Sequence, residues 1–316
     1  MHKLLLAEPR IGSYSALLLL GLVGGYLITR WRAVRAGMKG SHIDNLALLV
    51  SVLSLFGARL FSWWFYFPPG ISLWRALTDS GGGMVFYGGM IFGLLTVIVY
   101  ARIARLGLGN LLDIFAPGLA LGLALGRVGC FMAGCCWGDL CVDPGELTKL
   151  SPASLAWQVR TIPLISGAGF PLAVRFPEGA GAYEQHRKLG LIDEQSAFSR
   201  VVHPVQLYEA ALALGLCLFL HLRFDRRRWQ GQVACLLVLN YAVIRFATEF
   251  LRADNAPIYF GFTLSQVISL ALGTVATFVL ASRRGDIISN RGRYASAAKP
   301  VVLEEVAGPQ EFSRNL

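Results

Sequence analysis

A guanidinium, several thiols and closely spaced glycines rarely share one apolar stretch, yet residues 126–138 (Gly-Arg-Val-Gly-Cys-Phe-Met-Ala-Gly-Cys-Cys-Trp-Gly) hold all three. Arg127 follows an apolar run that starts near Asn110. A charge there is expensive and faces a cavity or a partner rather than hydrocarbon. Gly126, Gly129, Gly134 and Gly138 let backbone or a ligand come close. Farther on, Arg245 and Glu249 stand four apart, on one helical face. His203, Gln206, Tyr208 and Glu209 crowd the start of another apolar run. Tyr14, Arg59, the triplet Tyr87-Gly88-Gly89, and Gln266 complete the polar set. Guanidinium groups grip phosphate through paired N–H donors. Arg59, Arg127 and Arg245 outnumber Glu209 and Glu249, so the expected missing anion is a lipid phosphate.

Taken singly, these residues have plainer readings. Tyr14 and Tyr208 suit interfacial aromatics, Arg245 and Glu249 a structural ion pair, and His203 a helix start. Cys130, Cys135, Cys136 and Cys141 admit one or two disulfides, simple packing, or a metal or redox role. The spacing C-x4-C-C-x4-C is not a usual zinc pattern, so no metal and no cofactor is expected. Cys217 and Cys235 fall mid-helix and read as core filler.

The elements that must position these groups follow from composition. Of 316 residues, 55% are hydrophobic and 15% charged, with mean hydropathy +0.55. Soluble domains average about 25% charged, so an all-α polytopic membrane protein is expected. The net charge of +10 lies in short loops and carries no nucleic-acid motif, so no nucleic-acid partner is expected. Seven runs, at about 13–29, 44–67, 84–103, 111–132, 205–222, 231–251 and 262–281, can each cross the bilayer as a helix. Residues 1–10 lack the pattern of a cleaved signal peptide, so the first run is expected to stay in the mature chain.

Arginine and lysine set the orientation. Arg30, Arg32, Arg35 and Lys39 follow the first run, Arg102 and Arg105 the third, and Arg223, Arg226, Arg227 and Arg228 the fifth. Arg283 and Arg284 follow the last, whereas 68–83 holds only Arg75 and 252–261 only Arg252. The N-terminus is therefore expected outside and the C-terminus in the cytoplasm. Every polar group named above then falls at the outer-leaflet end of its helix. The membrane domain spans 1–282, with an extracytoplasmic insertion at about 133–204 and a disordered cytoplasmic tail at 283–316. Pro152, Pro163, Pro171 and Pro177 make the insertion a set of turns, with short strands at Ile162–Leu164 and Leu172–Phe176.

Several fragments resemble one family, the bacterial prolipoprotein diacylglyceryl transferases, in order along all seven runs. Gly126–Gly138 resembles the signature G-R-x-G-N-F-x-N-G-E-x-W-G. His203-Pro-Val-Gln-Leu-Tyr-Glu-Ala210 resembles H-P-S/T-Q-L-Y-E-A, and Arg245–Arg252 resembles R-F-x-x-E-F-x-R. Gly57-Ala-Arg59-Leu60 matches G-A/G-R-L, and Gln266 stands where the last helix has G-Q. The resemblance implies transfer of the diacylglyceryl group of phosphatidylglycerol to the lipobox cysteine of a prolipoprotein. The partners implied are phosphatidylglycerol, prolipoprotein signal peptides and the bilayer, at a multi-pass site facing the outer leaflet of a bacterial plasma membrane.

By that resemblance Arg127 and Arg245 stabilise the departing phosphate, and Glu249 orients Arg245 or takes the thiol proton. Tyr87 stands in place of a catalytic histidine, Cys130 of asparagine, Cys135 of glutamate, and Ser15 of the glycine after the first tyrosine. A phenol is a poor base at neutral pH. The alternatives are a lipid-headgroup transferase with another acceptor, and a non-catalytic lipid-binding or transport protein. The nearly apolar inner helix halves count against transport. A thiol oxidoreductase would need a C-x-x-C, which is missing.

Overall fold

A computed structural model describes residues 12–67, 70–78, 85–141, 170–255, 258 and 260–283. Among these the regular elements are all helical: α1 (Ser13–Arg35), α2 (Gly40–Tyr66), α3 (Leu73–Thr78), α4 (Phe86–Ile103), α5 (Leu108–Ala133), α6 (Gly181–Lys188), α7 (Val205–Phe224), α8 (Gln232–Glu249) and α9 (Leu264–Ser282). Six of them, α1, α2, α5, α7, α8 and α9, are long and apolar enough to cross a membrane, and α4 is a shorter apolar helix. Their outward faces are large and apolar, as at Leu20, Leu48, Leu218 and Phe278. Water would penalise such surface, whereas a multi-pass protein presents it to hydrocarbon.

Small residues decide which helices touch. In lipid no hydrophobic force drives helices together, so close backbone approach supplies the packing. On α1 and α5, Gly25 and Gly118 face one another so closely that a Cβ on Gly118 would stand 2.5 Å from the Gly25 carbonyl oxygen. Gly57 of α2 and Gly88 of α4 repeat the arrangement, and a Cβ on Gly88 would meet the Gly57 oxygen at 2.3 Å. Gly88 and Gly89 therefore seat α4 on α2.

Two polar ends bracket an apolar middle built from residues such as Leu111, Ile114, Leu216 and Leu220. At one end Asp113 of α5, wholly buried, accepts from the backbone N–H of Gly231 (2.8 Å) and Ala234 (2.9 Å) and so caps the start of α8. Arg227 approaches the same carboxylate at 3.8 Å. Arg32 of α1 donates to the His221 carbonyl of α7 and covers the Phe224 ring at 4.4 Å. The expectation of nearly apolar helix halves at this end is thus corrected at Asp113.

The described part of the connection between α5 and α7 holds a small core of Leu140, Phe176, Ala180, Ala182, Leu191 and Val202. Leu172–Phe176 is not a strand, because pairing stops at one isolated bridge, Val174 with Val202. The proposed strand at Ile162–Leu164 and the tail from 284 lie outside the described residues.

Replacing Asp113 with alanine strands two helix N-terminal N–H groups away from water. We expect a loss of about 2–3 kcal/mol, read as a lower unfolding midpoint of the detergent-solubilised protein. An unchanged midpoint would refute the capping role.

Candidate functional site

The opposite polar end is built around Glu209, in the second turn of α7. Helix α5 brings Arg127 to it from one side and α8 brings Arg245 from the other. The Glu209 side chain is 5% exposed; its Oε1 accepts from Arg245 Nη1 and Thr248 Oγ1, both at 2.8 Å, and its Oε2 lies 2.5 Å from Arg127 Nε. One carboxylate thus joins two helices to a third, and a buried charge has to be paired in this way.

The last turn of α8 extends the network. Arg245 Nη2 lies 2.7 Å from Glu249 Oε2 and donates to Ser265 Oγ at 3.1 Å. Glu249 Oε1 accepts from Asn255 Nδ2 and Thr263 Oγ1, each at 2.8 Å. Thr263 caps α9 in a box with Gln266, whose Oε1 accepts from the Thr263 backbone N–H at 3.0 Å. Gln266 therefore acts on the site through Thr263 and Glu249. Arg252, just past α8, grips Asp254 with two N–H groups (2.9 and 2.6 Å) and lies 4.0 Å from Glu209 and 3.9 Å from Glu249.

Arg252 and Asp254 change the charge count. The network holds three guanidinium groups, Arg127, Arg245 and Arg252, against three carboxylates, Glu209, Glu249 and Asp254. The expected cationic surplus is therefore not present within it. Arg59 is half-buried on α2, which packs against α4 and α1. Tyr87, 43% exposed, starts α4 beside α2. The network therefore unites Arg127, Glu209, Arg245 and Glu249 of the expected set, with Gln266 in support.

Beside the network the chain turns sharply. Gly134 ends α5 in the left-handed region at φ 70°, which costs glycine little. It also packs so tightly on Ala180 that a Cβ would stand 2.6 Å from the alanine's. Cys136 takes a positive φ of 59° as well. The turn folds Cys135 and Cys136 back onto Cys130, and the three Sγ atoms all lie within 4.8 Å of one another. None of the chain's cysteines is in a disulfide, which corrects that expectation for this turn. Gln206 Nε2 donates to the Cys135 carbonyl at 2.8 Å, so α7 holds the turn one helical step from Glu209.

Tyr14 packs its ring edge on Gly129, 3.1 Å from where a Cβ would be. Gly138 donates its N–H to the His203 carbonyl (3.0 Å), and a Cβ there would come 2.5 Å from that oxygen. Gly134 and Gly138 thus shape the turn. His203 is buried, with Nδ1 3.4 Å from the Tyr208 hydroxyl and its ring against Phe170. Burial lowers its pKa. Sequence reasoning named Arg252 only as the end of a matched motif and as a loop charge, and missed Thr248, Asp254, Asn255, Thr263 and Ser265; the T-x-x-Q pattern of a capping box was the readable signal for Thr263.

Comparison with known proteins identifies a family for the chain. Residues 4–282 match the family model described as prolipoprotein diacylglyceryl transferase. A phosphatidylglycerol–prolipoprotein diacylglyceryl transferase of Clostridium tetani is 27% identical over 270 residues, covering 85% of this chain and 92% of its own. One from Nitratidesulfovibrio vulgaris is 30% identical over 289 residues, covering 86% and 89%. One from Xanthomonas axonopodis pv. citri is 35% identical over 214 residues, covering 66% and 64%.

The connection that holds the thiol turn in place contains a titrating group. His186 of α6 is buried, its Nδ1 accepts from the Arg200 backbone N–H at 3.2 Å, and its pKa is lowered from 6.5 to about 4 by burial and then by Arg200. The folded form keeps the imidazole neutral, while an opened form takes up a proton below its ordinary value. The stabilisation is therefore complete above pH 6.5 and falls as the pH drops toward 4. Amide protection across residues 181–191, taken against the intrinsic exchange rate at each pH, should fall over that window by up to about 3 kcal/mol, and His186→Gln should flatten the dependence. A pH-independent protection factor in the parent would refute it.

Proposed function

The chain belongs to the prolipoprotein diacylglyceryl transferase family, and we propose that it moves the diacylglyceryl group of phosphatidylglycerol onto the lipobox cysteine thiol of prolipoproteins. The observation that carries this reading is Arg127 and Arg245, from two helices, held on the single carboxylate of Glu209.

In the proposed step the acceptor sulfur, as thiolate, attacks the glyceryl carbon that bears the phosphate ester. A C–S bond forms, the C–O bond breaks, and its electron pair leaves with glycerol phosphate. The thiol proton passes to solvent. Arg127 meets Glu209 through Nε, so its outer Nη edge is the one suited to a phosphate. Charge growing on the leaving oxygens strengthens that contact as the bond breaks. Glu249, fixed by Asn255, Thr263 and Arg245, orients Arg245 rather than accepting the proton. Tyr14, Arg59, Tyr87, Tyr208 and His203 are assigned to binding of the lipid and the signal peptide.

The basic loops support seven spans with the N-terminus outside, α4 included, since its 18 residues extend about 27 Å. The glutamate network then faces the outer leaflet of a bacterial plasma membrane, the connection after α5 lies outside, and the tail is cytoplasmic.

Protein reconstituted with phosphatidylglycerol and a lipobox peptide should yield the thioether peptide and glycerol phosphate, detected by mass spectrometry. Arg127→Ala should lower kcat/KM by about 10²–10³-fold. Parent protein that neither makes the product nor rescues cells depleted of their own transferase would overturn the reading; lipid consumption without peptide modification would point to another acceptor.

A further inference from the structure

The described site is short of a group suited to generating the thiolate. Glu209, Glu249 and Asp254 each neutralise an arginine, and His203 is turned to Tyr208 and Phe170. Against that background stand three thiols whose Sγ atoms lie within 4.8 Å of one another, a cluster not needed to explain the arginine network.

Three thiolates around an ion bound at about 2.3 Å from each sulfur stand about 3.8 Å apart in tetrahedral geometry. The observed sulfurs, all within 4.8 Å of one another, stand on that scale. The scaffold is fixed on several sides. Gly134 supplies the turn, Gln206 anchors the Cys135 carbonyl, and the backbone N–H of Gly181 donates to the Gly134 carbonyl at 3.1 Å. Three sulfurs select a soft cation such as Zn²⁺ over magnesium or calcium, and three protein ligands leave a tetrahedral zinc one position for a substrate.

We propose that Cys130, Cys135 and Cys136 bind a zinc ion whose fourth ligand is the acceptor thiol. The proposal rests on the transferase reading for the identity of that thiol. Coordination deprotonates it: the proton goes to solvent, the S–Zn bond forms, and the bound sulfur then attacks the glyceryl carbon, releasing glycerol phosphate with the C–O electron pair. No oxidation or reduction takes place. Arg127 lies one turn before Cys130 on α5, which sets the phosphate clamp beside the sulfur that displaces it.

Full-length protein purified in detergent without chelator should carry about one equivalent of zinc by elemental mass spectrometry. That metal should be lost in Cys130→Ser, Cys135→Ser and Cys136→Ser and kept in Cys235→Ser. Cobalt-exchanged protein should show sulfur-to-cobalt absorption that shifts with a lipobox peptide but not with its serine analogue. Chelator-stripped protein should transfer at least about 10²-fold more slowly and recover with added zinc. Absence of bound zinc, copper in its place, a spectrum indifferent to the peptide thiol, or undiminished transfer by stripped protein would each overturn the proposal. Metal content and spectrum are read without turnover, so a zinc-loaded protein that answers the thiol yet transfers nothing refutes the reaction and leaves the metal site standing.

Discussion

Glu209 is the pivot of the molecule. It is one nearly buried carboxylate at a helix start, and it contacts guanidinium groups arriving from α5 and α8. In a low-dielectric setting an unpaired arginine is costly and an unpaired glutamate equally so. The three helices are therefore fixed at one end by charge rather than by shape. Thr248 and Arg252 crowd the same carboxylate, so removing it would leave several donors without an acceptor at once. A site held this way is rigid before substrate arrives, which suits a reaction that needs fixed dipoles around a developing anion.

The rest of the fold keeps that end in place. At the far end Asp113 ties α5 to α8 a second time, through backbone N–H groups. The same two helices are thus clamped at both ends, with α1 pressed onto α5 through Gly25 and Gly118. Between the clamps the packing is apolar and small-residue based. The polar residues that matter are confined to the two ends of the helices.

Much of this was legible in the chain. The apolar runs marked the helices because lipid leaves the backbone no alternative. Arg127, Glu209, Arg245 and Glu249 could be placed together because charges inside such runs must find one another. Arg252 and Asp254 were harder, since they lie past the end of α8, where a charged residue ordinarily meets water. Gly88 and Gly134 were legible as glycines but not as to purpose: a ligand and a neighbouring backbone make the same demand for space. The thiols were legible as a group with several possible roles, but not which of them meet. Only the left-handed turn at Gly134 brings Cys135 and Cys136 back to Cys130, and such a reversal leaves no periodicity to read.

The order of the chain gives the Glu209 contact a further meaning during synthesis. Arg127 reaches the membrane with α5, but its counter-ion is encoded beyond the whole 134–204 connection, and Arg245 comes later still. A nascent α5 must therefore enter the bilayer with its guanidinium near the surface, snorkelling to headgroups, and settle only when α7 is threaded beside it. The end of the molecule that carries the Glu209 network is thus the part completed last, by residues made far apart in time.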